Sequence, residues 1–139
     1  MNLKLLISLI AIVIIAGCSS KKESTPDLNG AWQLVSYQYG HSSEKTVGEN
    51  LKKIKLITAN HFVFVHYGTD DKMLTSTAGG RISYDGKTYI ETIDFADNTM
   101  KNYLDNKQTF AVKLDNDKMF LEGQLSDGLK IKEVWQKLE

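Results

Sequence analysis

The chain of 139 residues has one cysteine, one proline, one arginine and no net charge, with 17 basic residues against 17 acidic ones. A single thiol, Cys18, rules out an intramolecular disulfide, so packing and hydrogen bonds must hold the fold. A single arginine, Arg81, makes bidentate phosphate clamps scarce, and the balanced charge gives nucleic-acid binding no electrostatic support. Three histidines (His41, His61, His66) show no zinc spacing, and Asp70-Asp71-Lys72 is not a calcium loop, so neither a metal centre nor a cofactor is expected. Ala78-Gly79-Gly80 is not followed by a Walker lysine, and no nucleophile-elbow motif offers a Ser–His–Asp or Cys–His arrangement. Catalysis is therefore not expected, although two interior glutamates could in principle do acid–base work.

What is present begins at the amino end. Lys4 precedes an apolar run from Leu5 to Gly17, broken only by Ser8. At thirteen residues the run is short of the roughly 20 that cross a bilayer, which predicts a signal peptide over residues 1–17. Ile15-Ala16-Gly17-Cys18 resembles the lipobox of bacterial lipoproteins, in which small residues precede the cysteine. The resemblance implies cleavage before Cys18 and lipidation of its thiol and new amino end. Several acyl chains anchor where one holds only marginally, each buried CH₂ contributing about 0.8 kcal/mol. By analogy with the sorting rule of enteric bacterial lipoproteins, Ser19 rather than aspartate after the cysteine implies an outer-membrane lipoprotein of the cell envelope. The membrane is then a partner through the lipid on Cys18. Residues 18–27, polar and containing Pro26, read as a flexible tether, and residues 28–139 as one domain. Cleavage removes Lys4 and no acid, leaving a net charge of −1.

Beyond the tether, apolar and β-branched runs recur between turn signals, while helical periodicity is nearly absent. Strands are predicted over residues 31–39, 53–58, 61–67, 80–84, 87–95, 107–114, 119–125 and 129–138, with short helices over 44–51 and 98–104. A two-residue Asp85-Gly86 turn would pair Ile82 with Tyr89 and turn Ile82, Tyr84, Tyr89, Glu91, Ile93 and Phe95 inward, with Arg81 outward. In "LSDGL" a two-residue turn would oppose Glu122 to Glu133. A three-residue loop over Ser126-Asp127-Gly128 instead pairs Glu122 with Lys132 and gathers Met119, Leu121, Leu125, Leu129, Ile131 and Trp135 on one face. For the first strand, Trp32 and Leu34 compete with Val35 and Tyr37 for the inside. Eight strands with one apolar face predict an all-β, eight-stranded antiparallel up-and-down barrel, a two-sheet sandwich being the alternative.

"LNGAW" at Leu28–Trp32 resembles the Gly-x-Trp start of the lipocalin superfamily, where the tryptophan closes the barrel base. In that superfamily a basic residue near the last strand packs on this tryptophan; Lys137 stands where arginine is more usual. "HFVFVHYG", "AGGRISYDGKTYIETIDF" and "GLKIKEVWQKLE" resemble a lipocalin-like domain of small bacterial lipoproteins of unknown function. The resemblance implies a calycin-type barrel and no particular activity.

Glu91 and Glu133 fall on faces otherwise lined by apolar and aromatic groups. Buried carboxylates are costly unless paired, which makes them candidates for function. With Tyr84, Tyr89, Trp135 and His66 they would form a polar spot in a greasy cup, the usual look of a ligand pocket. Equally, they could form a structural hydrogen-bond network at the barrel floor. The sequence therefore supports a lipid-anchored barrel that binds a small, largely apolar ligand. The alternative is a filled barrel acting as a structural or protein-interaction module, with Tyr37, Tyr39 or Val134 exposed. A cavity of roughly 300 Å³ or more favours the first, and a core closed by Phe62, Phe64, Phe95, Phe110, Met119 and Trp135 the second.

Overall fold

The computed structural model describes residues 25–138; the expected signal peptide, Cys18 and most of the expected tether lie outside the described residues. Nine strands follow in order: β1 (Gly30–Tyr39), β2 (Lys45–Thr46), β3 (Leu51–Ile57), β4 (His61–Gly68), β5 (Leu74–Tyr84), β6 (Thr88–Ala96), β7 (Lys107–Asp115), β8 (Lys118–Gln124) and β9 (Lys130–Lys137). Each of the eight long strands pairs antiparallel with the next. β9 returns to β1, from Trp32↔Lys137 to Tyr39↔Ile131, and closes the barrel. β2 is a two-residue flap on β1. The helix expected over 44–51 is absent: this stretch makes β2 and a turn, because Lys45 and Thr46 pair with Tyr37 and Ser36. The segment expected as helix over 98–104 keeps a single 3₁₀ turn, Lys101–Tyr103.

The β8–β9 register is the one that avoids opposed glutamates. Glu122 pairs with Lys132, their charged groups 3.0 Å apart, and Gly128 holds the left-handed position (φ 92°) that a three-residue loop requires. The β5–β6 hairpin differs from expectation. Tyr84, not Ile82, pairs with Tyr89, so the loop spans residues 85–88. Its cause is Asp85, whose carboxylate accepts the amide hydrogens of Lys87 and Thr88 and holds a wider turn. The shift is two residues, so the inward set survives it.

Two bulges decide the remaining faces. In β1 the register slips between Leu34 and Ser36, leaving Val35 unpaired. One extra residue flips the alternation, so Trp32 and Leu34 face in below the bulge and Tyr37 and Tyr39 face in above it. In β6, Asp94 and Phe95 together oppose Gly79. Phe95 is thereby turned outward and is 52% exposed, not inward as the simple alternation predicts. Its ring lies across Gly79, where a β-carbon would come within 2.4 Å of it.

The lower half of the barrel is solid. Trp32, Trp135, Tyr89, Met119 and Leu121 are all essentially inaccessible. The Trp32 indole donates to the Leu28 carbonyl (2.9 Å), drawing the segment before β1 under the barrel, and Lys137 Nζ lies 5.4 Å from the Trp32 ring centroid.

Candidate functional site

The charged groups of the interior sit above this packed floor and come from three strands. β6 and β9 supply Glu91 and Glu133, buried as their alternation requires. β3 supplies what the sequence reading missed: Lys53 and Lys55 point inward, opposite His66 and Phe64 of β4. β3 is patterned inside out. Lys53 and Lys55 occupy the core face beside Ile57, while Leu56, 48% exposed, takes the solvent face. The cup is therefore not greasy apart from two acids. It contains two acids and two ammonium groups.

These four charges pair. Lys55 Nζ lies 2.6 Å from Glu91 Oε1 with both side chains buried, and it sits 4.9 Å from the Trp135 ring centroid and 5.6 Å from that of Phe62. Lys53 Nζ makes a looser contact with Glu133 Oε1 (3.4 Å) and lies 4.6 Å from the Phe64 ring centroid. Glu133 also accepts from the Tyr39 hydroxyl (2.7 Å) and the Trp135 indole (3.0 Å). Tyr39 is thus an inward anchor for Glu133, not part of an exposed partner surface. Burial pushes the Glu133 carboxyl up, but Lys53, Lys55 and these hydrogen bonds outweigh it, so its pKa lies below the ordinary value. Tyr89, beside Glu91, is the buried side chain whose hydroxyl finds no well-formed partner among the described residues. Its ionisation is pushed well up by burial and then by the Glu91 charge.

A cavity of about 200 Å³ lies over the charges, walled by Phe64, Ile93, Met100, Phe110, Ile131 and the four charged side chains. Tyr39, Tyr103, Leu125 and Leu129 also line it. Two contacts staple the loops across its mouth. The Tyr103 hydroxyl donates to Asp127 (2.7 Å), and buried Gln108 accepts from the Ser126 amide (2.7 Å). Burial, then Asp127, raises the Tyr103 hydroxyl to about 12.

Of the residues singled out in the sequence, Glu91 and Glu133 line this cavity. Tyr89 and Trp135 lie beneath them in the floor. Tyr84 packs edge-on against Tyr89 (ring centroids 6.5 Å apart) beside the 85–88 turn at the closed end, away from the cavity. His66 stands beside Lys53 without lining the cavity, and burial, then the Lys53 charge, lowers its pKa. Among the described residues no three metal-ligating side chains converge. A larger hollow, about 510 Å³, lies on the outer wall across β1, β7, β8 and β9. It is bordered by ordinary outward residues such as Lys113, Glu122 and Lys132, without the burial that gives the inner site its electrostatics.

Glu133 makes stability depend on pH. A carboxyl whose folded pKa is depressed contributes stability that is fully present above its unfolded value, near 4.5, and is lost as the pH falls through the folded value. The wild type's resistance to urea should weaken as the pH drops from about 5 towards 3. Glu133→Gln should be less stable at pH 7 and flatter across that interval. An equally steep acid limb in the variant would remove Glu133 as the cause.

The sequence of residues 27–139 matches a family model described as "Domain of unknown function (DUF4488)". Among solved structures, the chain is similar to a lipocalin-like protein from Bacteroides uniformis ATCC 8492, at 25% identity and a TM-score of 0.60 over 81% of this chain and all of that one. It is also similar to an uncharacterized protein from Bacteroides eggerthii DSM 20697 (19% identity, TM-score 0.57, 80% of this chain and 99% of that one). A redesigned β-barrel shares the fold at 17% identity and a TM-score of 0.52, over 81% and 92% of the two chains. No functionally curated protein matches.

Proposed function

Because the chain belongs to the DUF4488 family, a domain of unknown function whose description carries no activity, we propose a role from the barrel itself. It is a lipid-anchored, lipocalin-like protein of the cell envelope that binds a small, largely apolar ligand in the upper half of the barrel. The observation that carries this reading is the asymmetry of the interior. One end is packed solid around Trp32, Met119 and Trp135, and the other keeps a cavity of about 200 Å³ with apolar walls and a few convergent polar groups. The volume falls short of the roughly 300 Å³ set above as the mark of a binder of drug-sized ligands, but it exceeds the roughly 150 Å³ that holds benzene in an engineered apolar cavity. The ligand is therefore small. Cys18 behind its apolar leader supports the lipid anchor, and Ser19 supports the outer membrane.

Native mass spectrometry of the protein purified from its host should show a bound molecule in the cup and an acyl mass on Cys18. Cys18→Ala should leave the membrane fraction while retaining the bound molecule. A ligand-free spectrum after growth under several conditions would sink the binding reading. A Cys18→Ala protein that still sediments with membranes would sink the anchor.

A second reading, the barrel as a protein-interaction module without ligand, is favoured by a separate observation. Outward Leu56, Val63 and Phe95 border an apolar hollow of about 460 Å³ on the β3–β6 wall. An empty cup with Phe95→Ser abolishing recovery of a specific partner would support it.

A further inference from the structure

Four charged side chains line the cavity, and they are not equally committed. Glu133 already accepts from Tyr39, Trp135 and Lys53. Glu91 and Lys55 hold each other at 2.6 Å, with their side chains 7% and 4% exposed. Lys53 is the exception. Its side chain is 18% exposed, and among the described residues its ammonium makes a single hydrogen bond, to Glu133 at 3.4 Å. An ammonium has three donors, and a firm charge-assisted bond to a carboxylate is about 2.7–2.9 Å. Lys53 therefore enters the cavity with donors unspent and within reach of solvent, where a ligand anion can replace water as the partner of the charge. Phe64 lies 4.6 Å from the same ammonium, which places apolar wall directly beside the charge.

Deepening the reading of the cup as a ligand site, and resting on it, we propose that the ligand is an acidic amphiphile. Its carboxylate, or an anion of like geometry, pairs with Lys53 Nζ. Its short apolar part lies against Phe64, Met100, Leu129 and Ile131. The anion supplies the acceptor that Lys53 lacks. The bound state then holds two negative side chains and one ligand anion against two ammonium groups, with the excess charge of Glu133 already spread over the Tyr39 hydroxyl and the Trp135 indole. A cationic ligand would find no comparably open acid: Glu133 already holds the Tyr39 hydroxyl and the Trp135 indole firmly and Lys53 loosely, and Glu91 is tied to Lys55.

The test compares three probes of equal chain length, hexanoate, hexan-1-ol and hexylammonium, titrated into the mature chain and followed by amide NMR shifts. Hexanoate should bind about tenfold or more tightly than the alcohol, the scale of a hydrogen bond to a charged group. It should also shift the Lys53 side-chain signal. Lys53→Met should remove the advantage of the acid while keeping the affinity for the alcohol. If Lys53→Met does not fold, the ranking of the three probes on the wild type still decides. Equal binding of acid and alcohol, or tightest binding of hexylammonium, overturns the acidic ligand and leaves the cup a binding site. No shift in cavity residues with any probe overturns both.

Discussion

Replacing Lys55 by methionine should cost about 3–5 kcal/mol of folding stability, because it strands the Glu91 carboxylate inside the barrel. The two side chains meet at 2.6 Å with less than a tenth of either exposed. Glu91→Leu should cost a similar amount by stranding Lys55, whose next acid, Glu133, is already held by three donors. The double variant Lys55→Met/Glu91→Leu removes both charges and leaves apolar groups of similar size among Phe62, Tyr89 and Trp135. It should unfold near the wild-type urea midpoint or above it, since a buried pair gains little over a well-packed apolar replacement. The large coupling between two costly singles and a nearly neutral double is the signature. Additive losses would mean that the pair is solvated or that each residue is held by something else. The cycle also separates roles: if these residues only maintain the fold, the double variant should bind hexanoate as the wild type does.

The second large effect is expected at the other end of the barrel. Trp32 is 1% exposed and joins the Leu28 carbonyl beneath it to the Lys137 ammonium beside it. Trp32→Ala removes a large buried ring from a region packed on every side, and should cost about 3–5 kcal/mol. Lys137→Met should cost far less, about 0.5–1 kcal/mol, the size of a partly exposed cation–π contact. Thermal unfolding followed through the fluorescence of Trp135 reads both. Equal losses at the two positions would show that Lys137 supports more than the indole face. A small loss at Trp32 would show that the floor can collapse onto the space left behind.

These two ends differ in how plainly the sequence announces them. Trp32 is visible as Gly-x-Trp, and the inward residues of β8 and β9 follow from alternation once the opposed glutamates exclude one hairpin register. The cup is harder to read because β3 breaks the rule that finds cores. In "LKKIKLI" the apolar residues Ile54 and Leu56 alternate as an inward face should, yet pairing of Ile57 with Phe62 and of Lys55 with Phe64 turns the lysines inward instead. Burial of Glu91 and Glu133 carries the missing signal, since two interior acids require nearby cations and β3 offers lysines two residues apart. The bulges at Val35 and at Asp94–Phe95 are invisible to any strict two-residue period. The first reconciles two inward faces that otherwise compete, and the second expels a phenylalanine. Places where local pattern and global fold disagree are where function is expected to sit. In β3 that disagreement lines the cavity, through Lys53 and Lys55.

The seam between β1 and β9 has a consequence for how the polypeptide acquires its shape. Trp32 finds Lys137, and Tyr39 finds Ile131, across roughly the whole length of the domain. Contacts so distant in sequence slow folding, and a molecule emerging amino end first must hold one edge of its opening strand unpaired until the final one has been made. Premature termination anywhere before Lys130 would delete Glu133, Trp135 and Lys137 together. The product would be an open ribbon with two bare edges, a template for clumping and a target for proteases.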